Sequence, residues 1–244
     1  MNPAGIRILI ATVSPYRGGA EEYLLTMARA ASAAGHAVTV ALPPAETLDS
    51  LRSDCADAGA RIEDFPVTDL DLAWRNQKSP RAVWRFVRKS RDLMARCDPQ
   101  VLLIVQPSLK CAFGLMVAAA WERRPTAVVF QLVSAVFPMG RMQRMAYGWI
   151  RRRGQAWVAV SRNNRDLAAI SFGCSPDCLR VIYNGASLPE VPPESERAAM
   201  RTAVRHELGV AEAQTFCLVV ARLYPQKGHV HLVDALPSVV ATHP

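Results

Sequence analysis

The 244-residue chain is short of several things, and each shortage removes a class of function. No apolar run is long enough to span a bilayer; the longest uninterrupted one, Cys111 to Trp121, falls well below the ~20 residues a membrane helix needs. The N-terminal apolar segment, Ile6 to Val13, is too short and too lightly flanked for a signal peptide. These two features predict a cytoplasmic protein, peripheral to the inner face of a membrane if it meets one at all. The dinucleotide fingerprint Gly-x-Gly-x-x-Gly is absent, and no acidic residue follows Val38 to Leu42 where a ribose partner would stand, which disfavours a nucleotide-dependent oxidoreductase. The six cysteines are scattered at 55, 97, 111, 174, 178 and 217, mostly inside apolar patterns. That spread reads as reduced core cysteine rather than a disulfide framework. Cys174 and Cys178 are the one close pair and lack a second Cys/His pair at zinc spacing, so no metal site is predicted. Lysine is scarce as well: of 29 basic residues, Lys78, Lys89, Lys110 and Lys227 are the only lysines.

The formal charge of +8, carried mainly by arginine, suits an anionic partner such as a phosphate-bearing substrate, an acidic lipid surface or nucleic acid. Aromatic residues do not cluster with the arginines on stacking platforms and no nucleic-acid motif is visible, so nucleic acid is not expected. Two basic, amphipathic stretches are candidates for peripheral membrane contact: residues 81–96, with Arg81, Arg85, Arg88, Lys89 and Arg91, and residues 139–153, with Arg141, Arg144 and Arg151 to Arg153. The same stretches also fit sheet-covering helices with solvated basic faces.

Along the chain, apolar runs of strand length alternate with segments of helical period. Strands are predicted at 6–13, 38–42, 61–65, 101–105, 127–131, 156–160 and 179–183. Helices are predicted over 20–34, 47–58, 80–96, 109–122 and 138–152, with another capped by Ser161. Residues 67–79 read as a polar loop. The alternation specifies a parallel sheet covered on both faces, a Rossmann-like domain spanning 1–187. A Pro-rich linker follows at 188–195, and 196–244 opens a second domain with a helix at 196–208. In that second part, Phe216 to Ala221 is a continuous apolar run that reads as a strand buried on both faces. Arg222 stands at its end, Tyr224-Pro225-Gln226 turns, and Lys227-Gly228 leads into a helical pattern through Leu232, Val233, Leu236, Val239 and Val240. A strand, a loop with two cations and a helix N-terminus together suit a phosphate or diphosphate, although solvated loop charges fit the same spacing.

Three further places face the ligand-binding edge that such sheets present. Gly18-Gly19 follows the first strand, Ser161 caps a helix after Val158-Ala159-Val160, and Asn184-Gly185 turns after Val181-Ile182-Tyr183. Taken singly, each fits a structural role. Their order is more specific. Gly18-Gly19-Ala20-Glu21, then Val158 to Ser161, Ile182 to Ala186, a Pro-rich link and Val220 to His229 resemble the family-four glycosyltransferases. So does Leu232 to Pro237.

The resemblance implies a GT-B-type α/β fold: one complete, doubly wound Rossmann-like domain on the acceptor side, plus the first βα unit of a donor-side one. It implies transfer of a sugar from a nucleotide-sugar to a carbohydrate or lipid-linked acceptor with retention at the anomeric carbon, without metal or cofactor. Arg222 and Lys227 match the pair of cations on the donor diphosphate. Gly18 and Gly19 match the loop facing donor or acceptor, and Ser161, Asn184 and Gly185 match cleft-lining positions. Two departures stand out. Gln131 lies where many relatives carry a histidine near the reacting centre, and an amide cannot act as an acid or base. The Glu-x-x-x-x-x-x-x-Glu motif that holds donor sugar and ribose is absent from these 244 residues. The chain alone is therefore expected to be C-terminally truncated and inactive. The alternative is a non-catalytic remnant that binds an acceptor, a membrane or a completing partner.

Overall fold

The computed structural model describes residues 5–67, 79–185, 190–221 and 223–242. The chain divides into two compact units, Met1–Gly185 and Ala186–Pro244. In the first, the strands are β1 (Arg7–Ala11), β2 (Ala37–Leu42), β3 (Arg61–Asp64), β4 (Val101–Gln106), β5 (Thr126–Phe130), β6 (Gln155–Ala159) and β7 (Arg180–Val181). Between them lie α1 (Gly19–Ala33), α2 (Asp49–Asp57), α3 (Pro80–Cys97), α4 (Phe113–Trp121), α5 (Arg141–Arg151) and α6 (Arg162–Phe172). The strands are all parallel, in the order β3-β2-β1-β4-β5-β6-β7.

Because side chains alternate along a strand, each apolar run feeds two cores. Leu9, Leu102, Ile104, Val128, Phe130, Trp157 and Ala159 join one cluster with Phe86, Leu93, Leu115, Tyr147 and Phe172 of the helices α3 to α6. The intervening Ile10, Leu103, Val105, Val129 and Val158 join the other, with Leu24, Leu25, Leu51 and Cys55 of α1 and α2. A parallel sheet buried on both faces needs continuous apolar strands, and these runs supply them. At the β5–β6 end the first core is aromatic: the Phe130 ring lies 5.6 Å from Trp157 and 5.5 Å from Phe172, and Trp157 lies 4.6 Å from Phe172.

The strand order reverses between β1 and β4, and ligands of open α/β sheets bind beyond the C-terminal strand ends at such a reversal. The segments leaving β1, β4, β5, β6 and β7 therefore define the functional edge.

Several boundaries differ from those predicted. Residues 109–112 are a turn rather than the start of a helix; the Gln106 side-chain oxygen accepts from Ala112 N at 3.0 Å and delays α4 to Phe113. The last strand shrinks to Arg180–Val181, one further backbone bond running from Ile182 N to Ala159 O at 3.0 Å. The predicted loop at 67–79 lies mostly outside the described residues.

The larger correction falls in the second unit. It contains α7 (Glu194–Glu207), a 3₁₀ turn at Pro225–Lys227 and α8 (His229–Thr242). The expected strand at 216–221 does not form. Its residues pair with no strand among the described residues and are exposed, Val220 at 86%. A strand is stabilised by its neighbours' hydrogen bonds and by cover on its faces, and this segment has neither. Neither α7 nor α8 buries a residue.

Candidate active site

The segment after β1 is built around a buried carboxylate. Glu21, in the first turn of α1, is only 2% exposed. One of its oxygens accepts from the backbone N–H of Gly18 at 3.0 Å, and the other faces the Thr12 hydroxyl at 3.5 Å. The Thr12 hydroxyl in turn accepts from Ser14 N at 3.3 Å. Arg17 ties the loop to α2, pairing with Asp54 at 2.6 Å and with Glu22 at 2.7 Å. A loop fixed this way holds the α1 N-terminus steady at the sheet edge.

The glycines of this loop are not required by backbone conformation. Gly18 is extended, with φ −152°, and Gly19 is not among the residues of positive φ. A Cβ added at Gly19 would meet no atom within 4 Å, so the space in front of it is open. Gly19→Ala is therefore expected to raise stability by ~0.4–1 kcal/mol, because it restricts the unfolded chain at a compatible position. A thermal melt of the variant checks this. A loss of ligand binding by a variant that folds at least as well would place the ligand against Gly19.

The second cluster forms at the ends of β5, β6 and β7. Gln131 follows Phe130 directly, and its backbone N–H bonds Gln106 O at 2.9 Å. Its side-chain oxygen accepts from Asn184 Nδ2 at 2.8 Å, and its carbonyl accepts from Asn164 Nδ2 at 3.0 Å. Asn164 is held in turn by the Ser161 hydroxyl, which accepts its backbone N–H at 3.1 Å as the N-cap of α6. Three of the predicted positions, Gln131, Ser161 and Asn184, are thus joined into one network. The Gln131 Nε2 group is buried and has no hydrogen-bond partner among the described residues. A buried unmet donor costs ~1–3 kcal/mol, which makes it notable at a ligand-binding edge. Gly185 is exposed, with no atom within 4 Å of an added Cβ.

Sequence reasoning did not single out Asn164, which the structure turns inward beside Ser161. The signal was available: a residue three positions after a capping serine lies over the cap. It also missed the roles of Glu21 and Lys110. Lys110, in the turn after β4, is 8% exposed and lies 4.6 Å from the centroid of the Phe137 ring. Burial holds its ammonium below the usual lysine range.

Lys227 is exposed and ends the 3₁₀ turn at Pro225–Lys227, with Gly228 in the left-handed region at φ 70° before α8. Arg222 lies outside the described residues, so the expected pairing of the two cations lies outside them too. Of the close cysteines, Cys174 is pushed up to about 12 by burial and by its hydrogen bond with Cys178, which keeps it a thiol at neutral pH.

Residues 17–188, most of the chain, match the profile of Glycosyltransferase Family 4. The chain belongs to that family. The solved structures agree in fold. A glycosyltransferase from Rickettsia africae superposes with a TM-score of 0.71 at 17% identity, over 96% of this chain and 57% of its own. HepE of Anabaena, solved in complex with UDP and glucose, gives 0.63 at 24% identity, over 98% and 58%. In complex with UDP-glucose it gives 0.61 at 23%, over 95% and 57%. The family 4 chain thus spans a little under three-fifths of the length of the structures it resembles, and its fold is of their GT-B type. No curated protein matches it in sequence.

Proposed function

We propose that this family 4 chain is the acceptor-side part of a retaining glycosyltransferase that uses a nucleotide-sugar donor. In the reaction the bond between the anomeric carbon and the donor phosphate oxygen breaks, and a bond to an acceptor hydroxyl forms on the same face. The acceptor proton leaves with the diphosphate. The observation that carries the reading is the Gln131–Asn184–Asn164–Ser161 network at the C-terminal sheet edge, with its unmet Nε2 donor. Gln131 does not titrate; its Nε2 is buried in this structure, so its role requires the side chain to turn toward the cleft, where it donates a hydrogen bond to an oxygen of donor or acceptor and stabilises charge without moving a proton.

Gly18 and Gly19 face a ligand beside the α1 N-terminus, with open space at Gly19, while Ser161, Asn184 and Gly185 line the cleft. Arg222 and Lys227 neutralise the diphosphate as it departs. Uridine-linked sugars are the first donors to test, since HepE was solved with UDP and with UDP-glucose. We place the chain in the cytoplasm, meeting a carbohydrate or lipid-linked acceptor. We further propose that its contact with a bilayer is peripheral; among the described residues no helix is long and apolar enough to cross a membrane.

The 244 residues hold no Glu-x-x-x-x-x-x-x-Glu segment, and the second unit buries no residue of α7 or α8. Sugar transfer from radiolabelled nucleotide-sugars is therefore expected to be undetectable with this chain alone. It should appear when a polypeptide carrying a complete donor-side half is added. Robust turnover by the chain alone would overturn the incompleteness. No turnover in the complemented assembly would overturn the enzyme reading and leave an acceptor- or membrane-binding protein, the reading that the coreless second unit also favours.

A further inference from the structure

The two basic helices that the sequence left equivalent differ in the structure. Helix α3 turns Phe86, Val87, Leu93 and Met94 into the core and leaves Trp84 as its exposed large apolar side chain. Arg91 pairs with Glu122 at 3.1 Å, Arg96 with Glu63 at 3.7 Å, and Lys89 donates to Pro66 O at 2.8 Å, while Arg81, Arg85 and Arg88 form no ion pair with any described residue. Helix α5 is built the other way. It buries only Tyr147 and Ile150 and leaves Met142 84% exposed and Met145 65% exposed. The loop leading into it exposes Leu132, Val136 and Phe137. Arg141, Arg144, Arg151, Arg152 and Arg153 form no ion pair with any described residue.

Between α5 and the 173–178 turn runs a groove of about 770 Å³. Arg141, Arg144, Arg151 and Arg152 line it together with Met139 and Met145, and no acidic residue does. The guanidinium of Arg144 lies across Gly173, the C-cap of α6, where an added Cβ would come within 2.9 Å of Arg144 Cδ. Exposed thioethers and rings beside four uncompensated cations make a surface with both an apolar and an anionic requirement.

We propose that α5, its preceding loop and this groove dock on an acidic phospholipid bilayer. Phosphodiester headgroups occupy the arginine groove, and Phe137, Met142 and Met145 enter the acyl boundary. The charge complementarity commits the surface to anionic lipid, and the exposed apolar residues commit it to a bilayer rather than a free phosphate. The inference rests on the membrane contact proposed above and locates it on α5 rather than α3. Its test reads no sugar transfer, so its outcome is separate from that of the transferase reading.

The experiment is co-sedimentation of the full 244-residue chain with vesicles of phosphatidylglycerol and phosphatidylcholine, against vesicles of phosphatidylcholine alone. Binding is expected only with the anionic vesicles and should weaken with added salt. Arg141→Glu with Arg152→Glu should weaken it at least ~25-fold, taking about five-fold for each cation lost near an anionic surface. Met142→Asp should weaken it at unchanged charge elsewhere, while Arg85→Glu with Arg88→Glu on α3 should leave it within about two-fold. All substituted residues are exposed, and a melting curve confirms that each variant folds. Failure to bind anionic vesicles, equal binding to neutral ones, or an equal loss in the α3 variant would overturn the proposal. So would full competition by millimolar glycerol phosphate, which would make the groove a site for a soluble phosphate.

Discussion

Gly114→Ala should lower the melting temperature of the first unit by several degrees, although alanine is the better helix former. Gly114 is buried in α4, where an added Cβ would lie 2.3 Å from Cγ, 2.4 Å from Cδ1 and 2.8 Å from Cβ of Phe86 on α3. Real Cβ atoms do not approach other carbons that closely, so the Phe86 ring must move. It has little room to do so: Phe86 is 4% exposed, and its ring lies 6.1 Å from the fully enclosed ring of Phe65. Helix propensity favours alanine by ~1 kcal/mol, and overpacking a dense core costs ~1–3 kcal/mol or more. With contacts this short the packing term wins, by ~2 kcal/mol. At about 2–4 °C per kcal/mol for a domain of this size, the melting point falls by ~4–8 °C. Phe86→Leu made in the Gly114→Ala background should cost less than it does in the wild type, with a coupling of ~1 kcal/mol or more. An unchanged melting point for Gly114→Ala would show that α3 and α4 do not approach as described.

This contact also marks what local sequence can and cannot reveal. The strands of the first unit were legible because each is a short apolar run between turn signals, and a doubly wound sheet uses such runs on both faces. The same pattern at 216–221 misled. Phe216 to Ala221 looks locally like β5 or β6, but strand formation is decided by neighbours, and this segment pairs with no strand among the described residues. Gly114 carries no mark of its close approach, since a glycine in an Ala-rich helix reads only as a weak spot.

The site was legible in parts. Gln131 was found through the family resemblance, at the position where many relatives carry a histidine, and Ser161 from its place before a helix. Their connection was not, because Asn184 reaches Gln131 from 53 residues away and only the packing of β5, β6 and β7 brings them together. The glycine pair was singled out as a place where the backbone can lie close to a ligand; the structure shows ordinary backbone angles at both positions and open space in front of Gly19.

Gln131→Leu, assayed in the assembly completed by a donor-side half, is expected to reduce sugar transfer by about 10²–10³-fold, the usual loss when one preorganised donor to developing charge is removed. Its effect on stability should be small and of mixed origin. The leucine removes a buried Nε2 donor that has no partner among the described residues, which is a gain, but it deprives Asn184 Nδ2 of the oxygen it bonds at 2.8 Å, which is a loss. The two terms are of similar size, so a denaturant midpoint within ~1 kcal/mol of wild type is expected. A large loss of stability with a proportionate loss of activity would instead make Gln131 a purely structural residue.

Gln131→His separates the roles further. A histidine keeps a donor at this position but introduces a group that titrates near ~6.5. The wild-type amide contributes no limb to the pH–rate profile, so the variant should acquire one near that pH while keeping more activity than Gln131→Leu. Gln131→Glu should be worse than leucine above about pH 5, because a carboxylate would stand where the proposed anionic donor binds. The ranking glutamine, histidine, leucine, glutamate at neutral pH follows from hydrogen-bond donation and charge alone. An assembly in which glutamate matched glutamine would show that no anion or developing negative charge approaches this side chain.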